Sequence, residues 1–127
     1  MLALKRLPAT RIVATPSALD GASWPAEART FRLAPDELLI IPPVEAPALD
    51  DPYAIIIADA SYAGVWLPEA EALELLAIHC EWELPVQRPA FAQGAVAGIP
   101  TKLWFEAGQV LLMVPAPYIA DFQERLV

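Results

Sequence analysis

The chain has 127 residues, a length that fits one domain of ordinary size. Sixteen Asp and Glu against eight Lys and Arg leave a formal net charge of −8, with the basic residues scattered and no run longer than Lys5-Arg6. A polyanion is bound through concentrated cationic contacts, so the charge pattern excludes nucleic acid and anionic membrane as partners.

Apolar residues make up 57% of the sequence and mean hydropathy is +0.43, which is more than a core of this size uses. A membrane span does not absorb the surplus. The uncharged stretch Ala107 to Ala120 contains Gly108, Pro115 and Pro117 and is too short and broken beside the ~20 apolar residues a spanning helix needs. The opening residues MLALKRLPATR have no apolar run of signal-peptide length behind their charges. The chain reads as cytoplasmic, and the lone Cys80 excludes an internal disulfide.

Residues 1–28 are rich in Pro, Ala and Ser and read as an extended N-terminal arm, with a short turn of helix near Ser17 to Ala22. Residues 29–127 read as a single α+β domain. Thr30 to Leu33 and Glu37 to Ile41 are strand-like around the turn residues Pro35-Asp36, and Pro42-Pro43 stops the second strand. Val44 to Pro52 is a proline- and acid-rich connector. Tyr53 to Ala58, with three consecutive isoleucines, has the β-branched content of a buried strand. Tyr62 to Leu67 is another strand, and the two can close as a hairpin.

A helix begins at Pro68 and ends near His79, before Pro85. Leu73, Leu76, Ala77 and Cys80 recur at helical spacing as its buried stripe, widened by Leu75 and Ile78. After a loop through Gln87 and Gly94, Val96 to Phe105 reads as a strand with Ile99, Thr101, Leu103 and Phe105 on one face. Gly108 suits a hairpin turn into a further strand, Gln109 to Val114. Tyr118 to Leu126 is an amphipathic helix whose Tyr118, Ile119, Phe122 and Leu126 face inward. The sum is an antiparallel sheet with helices packed on one face.

Catalytic signatures are sparse. His79 and Cys80 are adjacent, and helix neighbours do not face each other, so they form no nucleophile pair. A His near a helix C-terminus is explained by the dipole alone. One His and one Cys leave any zinc site short of ligands, and Asp50, Asp51 and Asp59 lack calcium-loop spacing. Glu69, Glu71 and Glu74 suit a first helical turn. Gly94 to Gly98 matches no phosphate loop, and Ser17, Ser23 and Ser61 lie in no nucleophile elbow. No catalytic residue and no metal site is assigned. Of the four tryptophans, Trp66 and Trp104 fall on strands and are candidate interface anchors.

The segments also carry a family pattern. FRLAPDELLII (Phe31 to Ile41) resembles the LGPDEWLL hairpin of sarcosine oxidase gamma subunits, and Ile57 to Leu84 resembles their VDLSDAYAGLRLSGPRARDLLAKGCPLDL region. Asp59 and Ser61 stand at its D-x-S positions, Pro68 at its GP proline and Cys80 after its helix. FAQGAVAGIPTKLW (Phe91 to Trp104) and Val114 to Leu126 are similar to the family's later segments. Ala34 and Leu67 stand where the pattern has glycine, and Pro42 to Pro52 replaces a helix.

The resemblance implies a fold related to the N-terminal part of glycine-cleavage aminomethyltransferases. It further implies an accessory chain that docks on large oxidase subunits, to which flavin, NAD and folate chemistry belong. Self-association is the other partner expected of the apolar surplus. The alternative is a folate- or pterin-binding module, for which Asp59, Tyr62 and Trp66 are the pocket candidates. An independent enzyme is the third.

Overall fold

Short β-branched runs bounded by proline and turn residues recur along the chain, and most of them fold as strands. The structure, a computed structural model, describes residues 2–45 and 47–126. Among these, nine strands and three helices form an α+β fold with two antiparallel sheets. The chain divides into two units, one of residues 7–60 and one of residues 1–6 with 61–127. The first strand, β1 (Lys5–Arg6), belongs to the second of these.

In the 7–60 unit, Thr10, Ile12 and Val13 extend the backbone of β2 (Ala9–Val13). Thr15 then caps α1 (Pro16–Gly21): its Oγ1 accepts from the Ala18 amide at 3.3 Å, and Pro16 sits in the first turn, where no N–H is needed. β3 (Arg29–Ala34) and β4 (Glu37–Ile41) form a hairpin about Pro35-Asp36, with a bulge between Arg32 and Ala34. β5 (Ile55–Asp59) completes a sheet of order β3-β4-β2-β5. Ile12 therefore stands opposite Leu38 on one side and Ile56 on the other. Ile12, Leu38 and Ile40 pack against Ala18 and Leu19 of α1.

Residues 1–28 are thus no arm apart from the fold, and residues 29–127 are not one unit. β2 is an interior strand of its sheet, and Lys5-Arg6 pairs with Gly64 and Ala63 in the other unit. A five-residue strand between Pro8 and Pro16 gives a period of two little room to show. The helix expected near Ser17 to Ala22 is α1.

In the other unit the order is β1-β6-β9-β8-β7, with β6 (Tyr62–Pro68), β7 (Ala90–Val96), β8 (Ile99–Glu106) and β9 (Gln109–Pro115). Two helices cover one face: α2 (Glu69–His79), and α3 (Ile119–Arg125) after a 3-10 turn at Ala116–Tyr118. Ala72 and Leu76 of α2, with Phe122 of α3 and Leu126 at its C-terminal cap, close over Leu67, Leu103, Phe105, Val110 and Leu112. Glu69 does more than complement the helix dipole. Its Oε2 accepts from the Gly108 amide at 3.0 Å, and its Oε1 lies 3.3 Å from Arg88 Nη2, tying the start of α2 to the β8–β9 turn.

Three further expectations change. β5 and β6 form no hairpin, because β5 pairs with β2 while β6 pairs with β1 and β9. The buried stripe of α2 runs through Ala72 and Leu76, whereas Leu73, Ala77 and Ile78 are exposed. β6 runs unbroken into the helix at Pro68 and sets its phase. Residues 90–94, read as loop, belong to strand β7, and the expected strand Val96 to Phe105 is interrupted at Ala97 and Gly98, which join β7 to β8 at φ 52° and 79°. Two positive φ values make a tight hairpin turn, and the small, polar run Ala92-Gln93-Gly94-Ala95 concealed the strand before it.

Gly94 is held by packing. A Cβ added there would lie 2.5 Å from Trp82 Cε2, and the Trp82 indole N–H donates to the Ala95 carbonyl at 2.8 Å. Gly94→Ala must displace the ring or the strand and is expected to cost about 1–3 kcal/mol. A lower urea midpoint in the variant, with altered tryptophan emission, checks this; an unchanged midpoint contradicts it.

Candidate functional site

β5 is built from the most apolar short run in the 7–60 unit, yet it lies at the edge of its sheet. Ile55 is 56% exposed, Ile56 37% and Ile57 49%, and Tyr53 just before them is 89% exposed. The run expected to be a buried strand is a strand, and it is exposed. β2 covers one side of it, and among the described residues no strand covers the other. Full burial of an isoleucine is worth about 1.5–3 kcal/mol, so the three together forgo roughly 2–4 kcal/mol of transfer free energy. Asp51 fixes the approach to the strand: its carboxylate accepts from the Thr15 and Tyr53 amides, each at 2.9 Å. That is a turn function.

Asp59 ends β5 with its side chain only 6% exposed. Its Oδ2 lies 3.7 Å from Arg11 Nη1, while Arg11 Nε donates to Glu37 Oε2 at 2.8 Å and Nη2 pairs with the same carboxylate. One guanidinium on β2 thereby serves carboxylates on both neighbouring strands, which suits its planar fork. Of the residues named for a folate pocket, Asp59 belongs to the 7–60 unit and Tyr62 and Trp66 to the other. The Tyr62 ring carries Lys102 Nζ 5.0 Å from its centroid.

The interface candidates fall into a single row across the second sheet. Register places Trp66 opposite Leu111, Leu111 opposite Trp104 and Trp104 opposite Phe91, on the face turned away from α2 and α3. Trp66 and Trp104 are half-buried and Leu111 is buried. The Trp104 indole N–H donates to Glu106 Oε1 at 2.7 Å, which fixes its ring. The strand alternation of Val96 to Phe105 foretold this face, but the alignment with Trp66 needs β9 between them.

The His79 carbonyl accepts from the Ala97 amide at 2.8 Å, and Cys80 Sγ approaches the Trp82 carbonyl at 3.6 Å. Trp24, Pro42, Pro43 and Glu45 line a cleft of about 400 Å³ in the 7–60 unit. His79, Trp82 and Gly98 line one of about 540 Å³ in the other. Among the described residues no three His, Cys, Asp or Glu side chains gather as a metal site, and no helix is long and apolar enough to cross a membrane. No protein-family model, curated protein or solved structure matches the chain.

Replacing Arg11 by Met takes the guanidinium from between Glu37 and Asp59. Because Arg11 is about a third exposed, the expected loss is about 1–2 kcal/mol, below that of a fully buried pair. Arg11→Lys should restore only part, since an ammonium cannot fork to both carboxylates. Urea denaturation of the three proteins measures the series, and equal stability of Arg11→Met and wild type contradicts it.

Proposed function

We propose that the chain is a non-catalytic accessory subunit that works by docking onto protein, of the kind the gamma subunit of heterotetrameric sarcosine oxidase represents. The observation that carries the reading is the exposure of Tyr53 and the three isoleucines of β5 on a chain of net charge −8. Surface apolar residues scattered singly need no explanation, whereas contiguous ones mark interaction sites. Ile78 on α2 and the loop residue Val86 offer further apolar contact. Trp66 and Trp104 are the aromatic anchors proposed for the second unit, since aromatics dominate association energetics.

The likeness of Phe31 to Ile41 and Ile57 to Leu84 to the gamma-subunit pattern supports the choice of partner: larger oxidase subunits, with flavin and folate chemistry in those chains. The same likeness supports a relation to the aminomethyltransferase fold. Purification of the untagged chain from its native source tests the reading. A stoichiometric complex with a larger chain that carries bound flavin, visible in its absorbance spectrum, is expected. Recovery of the chain alone, free of any larger subunit, overturns it.

A further inference from the structure

The two sheets have four edges among the described residues, and three of them carry features that discourage further pairing. β1 is two residues long and both are basic. β3 carries Arg29 and Arg32 and a bulge. On β7 the Trp82 ring lies over Gly94 and caps the Ala95 carbonyl. Charge, brevity, bulges and covering groups are the usual protections of a strand edge. β5 has none of them from Ile55 to Ala58, its one charged residue being the buried Asp59 at its end. From Ala54 to Ala58 the sequence reads Ala-Ile-Ile-Ile-Ala, with no charge, proline or glycine.

We infer that β5 is a dimerisation edge, occupied by the β5 of a second copy of this chain running antiparallel about a two-fold axis through Ile56. The inference rests on the reading of β5 as a docking edge and names a second copy as its occupant, which leaves Trp66, Trp104, Ile78 and Val86 to meet a larger subunit. A two-fold axis perpendicular to the sheet keeps every residue on its own face, so a strand pairs with its copy only about an axis through a residue position. Centred on Ile56, Ile55 meets Ile57 of the partner subunit, Ala54 meets the partner's Ala58, and the two Ile56 side chains meet each other. The segment reads the same in both directions, so every cross-strand pair is apolar.

Neighbouring registers lack this match. Centred on Ile57, the pairing sets Asp59 opposite the partner's Ile55. Centred on Ile55, it runs into Pro52 to Ala54, outside the strand. Charge favours the same edge. Two copies of net charge −8 repel, and this uncharged run is where they approach at least cost. The dimer joins two four-stranded sheets into one and buries the exposed isoleucines.

Sedimentation equilibrium on the full chain should give a dimer that tightens as salt screens the repulsion. Ile55→Lys should weaken it by about tenfold or more with the far-ultraviolet circular dichroism unchanged. A second measurement stands independent of that variant's folding. In a Cys80→Ser background, Ile56→Cys should oxidise to a disulfide-linked dimer, because directly opposed residues bring their Cβ atoms to about 4.5–5.5 Å, a small strand shift from the roughly 3.5–4.5 Å of a disulfide. Ala58→Cys should not, since its copy lies four positions away, about 13 Å along the strand.

A wild-type chain that stays monomeric overturns the inference, as does equal cross-linking at positions 56 and 58 or a dimer that loosens with salt. A monomer that still co-purifies with a larger subunit overturns the dimer and leaves the accessory-subunit reading in place. A monomer that co-purifies with nothing overturns both.

Discussion

Hydrogen bonding along both sides of β2 holds the 7–60 unit together. The β3–β4 hairpin reaches the rest of its sheet only through the pairing of Thr10 to Val13 with Ile40 to Glu37, and β5 only through the pairing of Ala9 to Val13 with Asp59 to Ile55. Arg11 stands in that strand with a carboxylate neighbour on either side, so charge and ladder reinforce one another. Ile12 does the same for packing, between Leu38 and Ile56. The exposed edge follows from this order. With β2 interior and β3–β4 on one flank, β5 closes the other flank and has no strand beyond it among the described residues.

Much of the second unit was legible in the sequence. Ile99, Thr101, Leu103 and Phe105 alternate with Pro100, Lys102 and Trp104, and the first set is buried. Pro68 and Pro85 bracket α2, and Phe122 and Leu126 mark the inner face of α3. The illegible parts have physical reasons. β7 lacks β-branched residues over most of its length and is held by pairing with β8 and by Trp82, both of which are distant signals. The burial of α2 is rotated from the expected stripe because a strand leads straight into it. An apolar triplet such as Ile55-Ile56-Ile57 names a strand but not its place in a sheet. Interior and edge strands of that composition look alike until every partner is known, which is why the exposed surface had to be read from the structure.

Two kinds of apolar surface result. The row Trp66–Leu111–Trp104–Phe91 sets three half-buried aromatics about a buried leucine and is stiffened by the Trp104–Glu106 hydrogen bond. The β5 edge is aliphatic and offers backbone groups as well as side chains. The first suits side-chain packing in an interface, where rigid aromatics lose little conformational freedom. The second suits strand addition, in which main-chain hydrogen bonds supply affinity and side-chain register supplies selectivity.

The pairing of Lys5-Arg6 with Gly64 and Ala63 makes one unit discontinuous in sequence, with residues 7–60 nested inside it. Order of synthesis then matters. The nested unit is contiguous and can complete its sheet as soon as Asp59 has emerged, whereas β1 must wait for β6 and the rest of its own sheet. A folded nested unit keeps the segments on its two sides from wandering as a free loop would, which lowers the entropy of closing that first strand onto its partner. Insertions or tags placed between Arg6 and Leu7, or between Ala60 and Ser61, would meet the chain at its two crossings between units, where a change of spacing is felt by both.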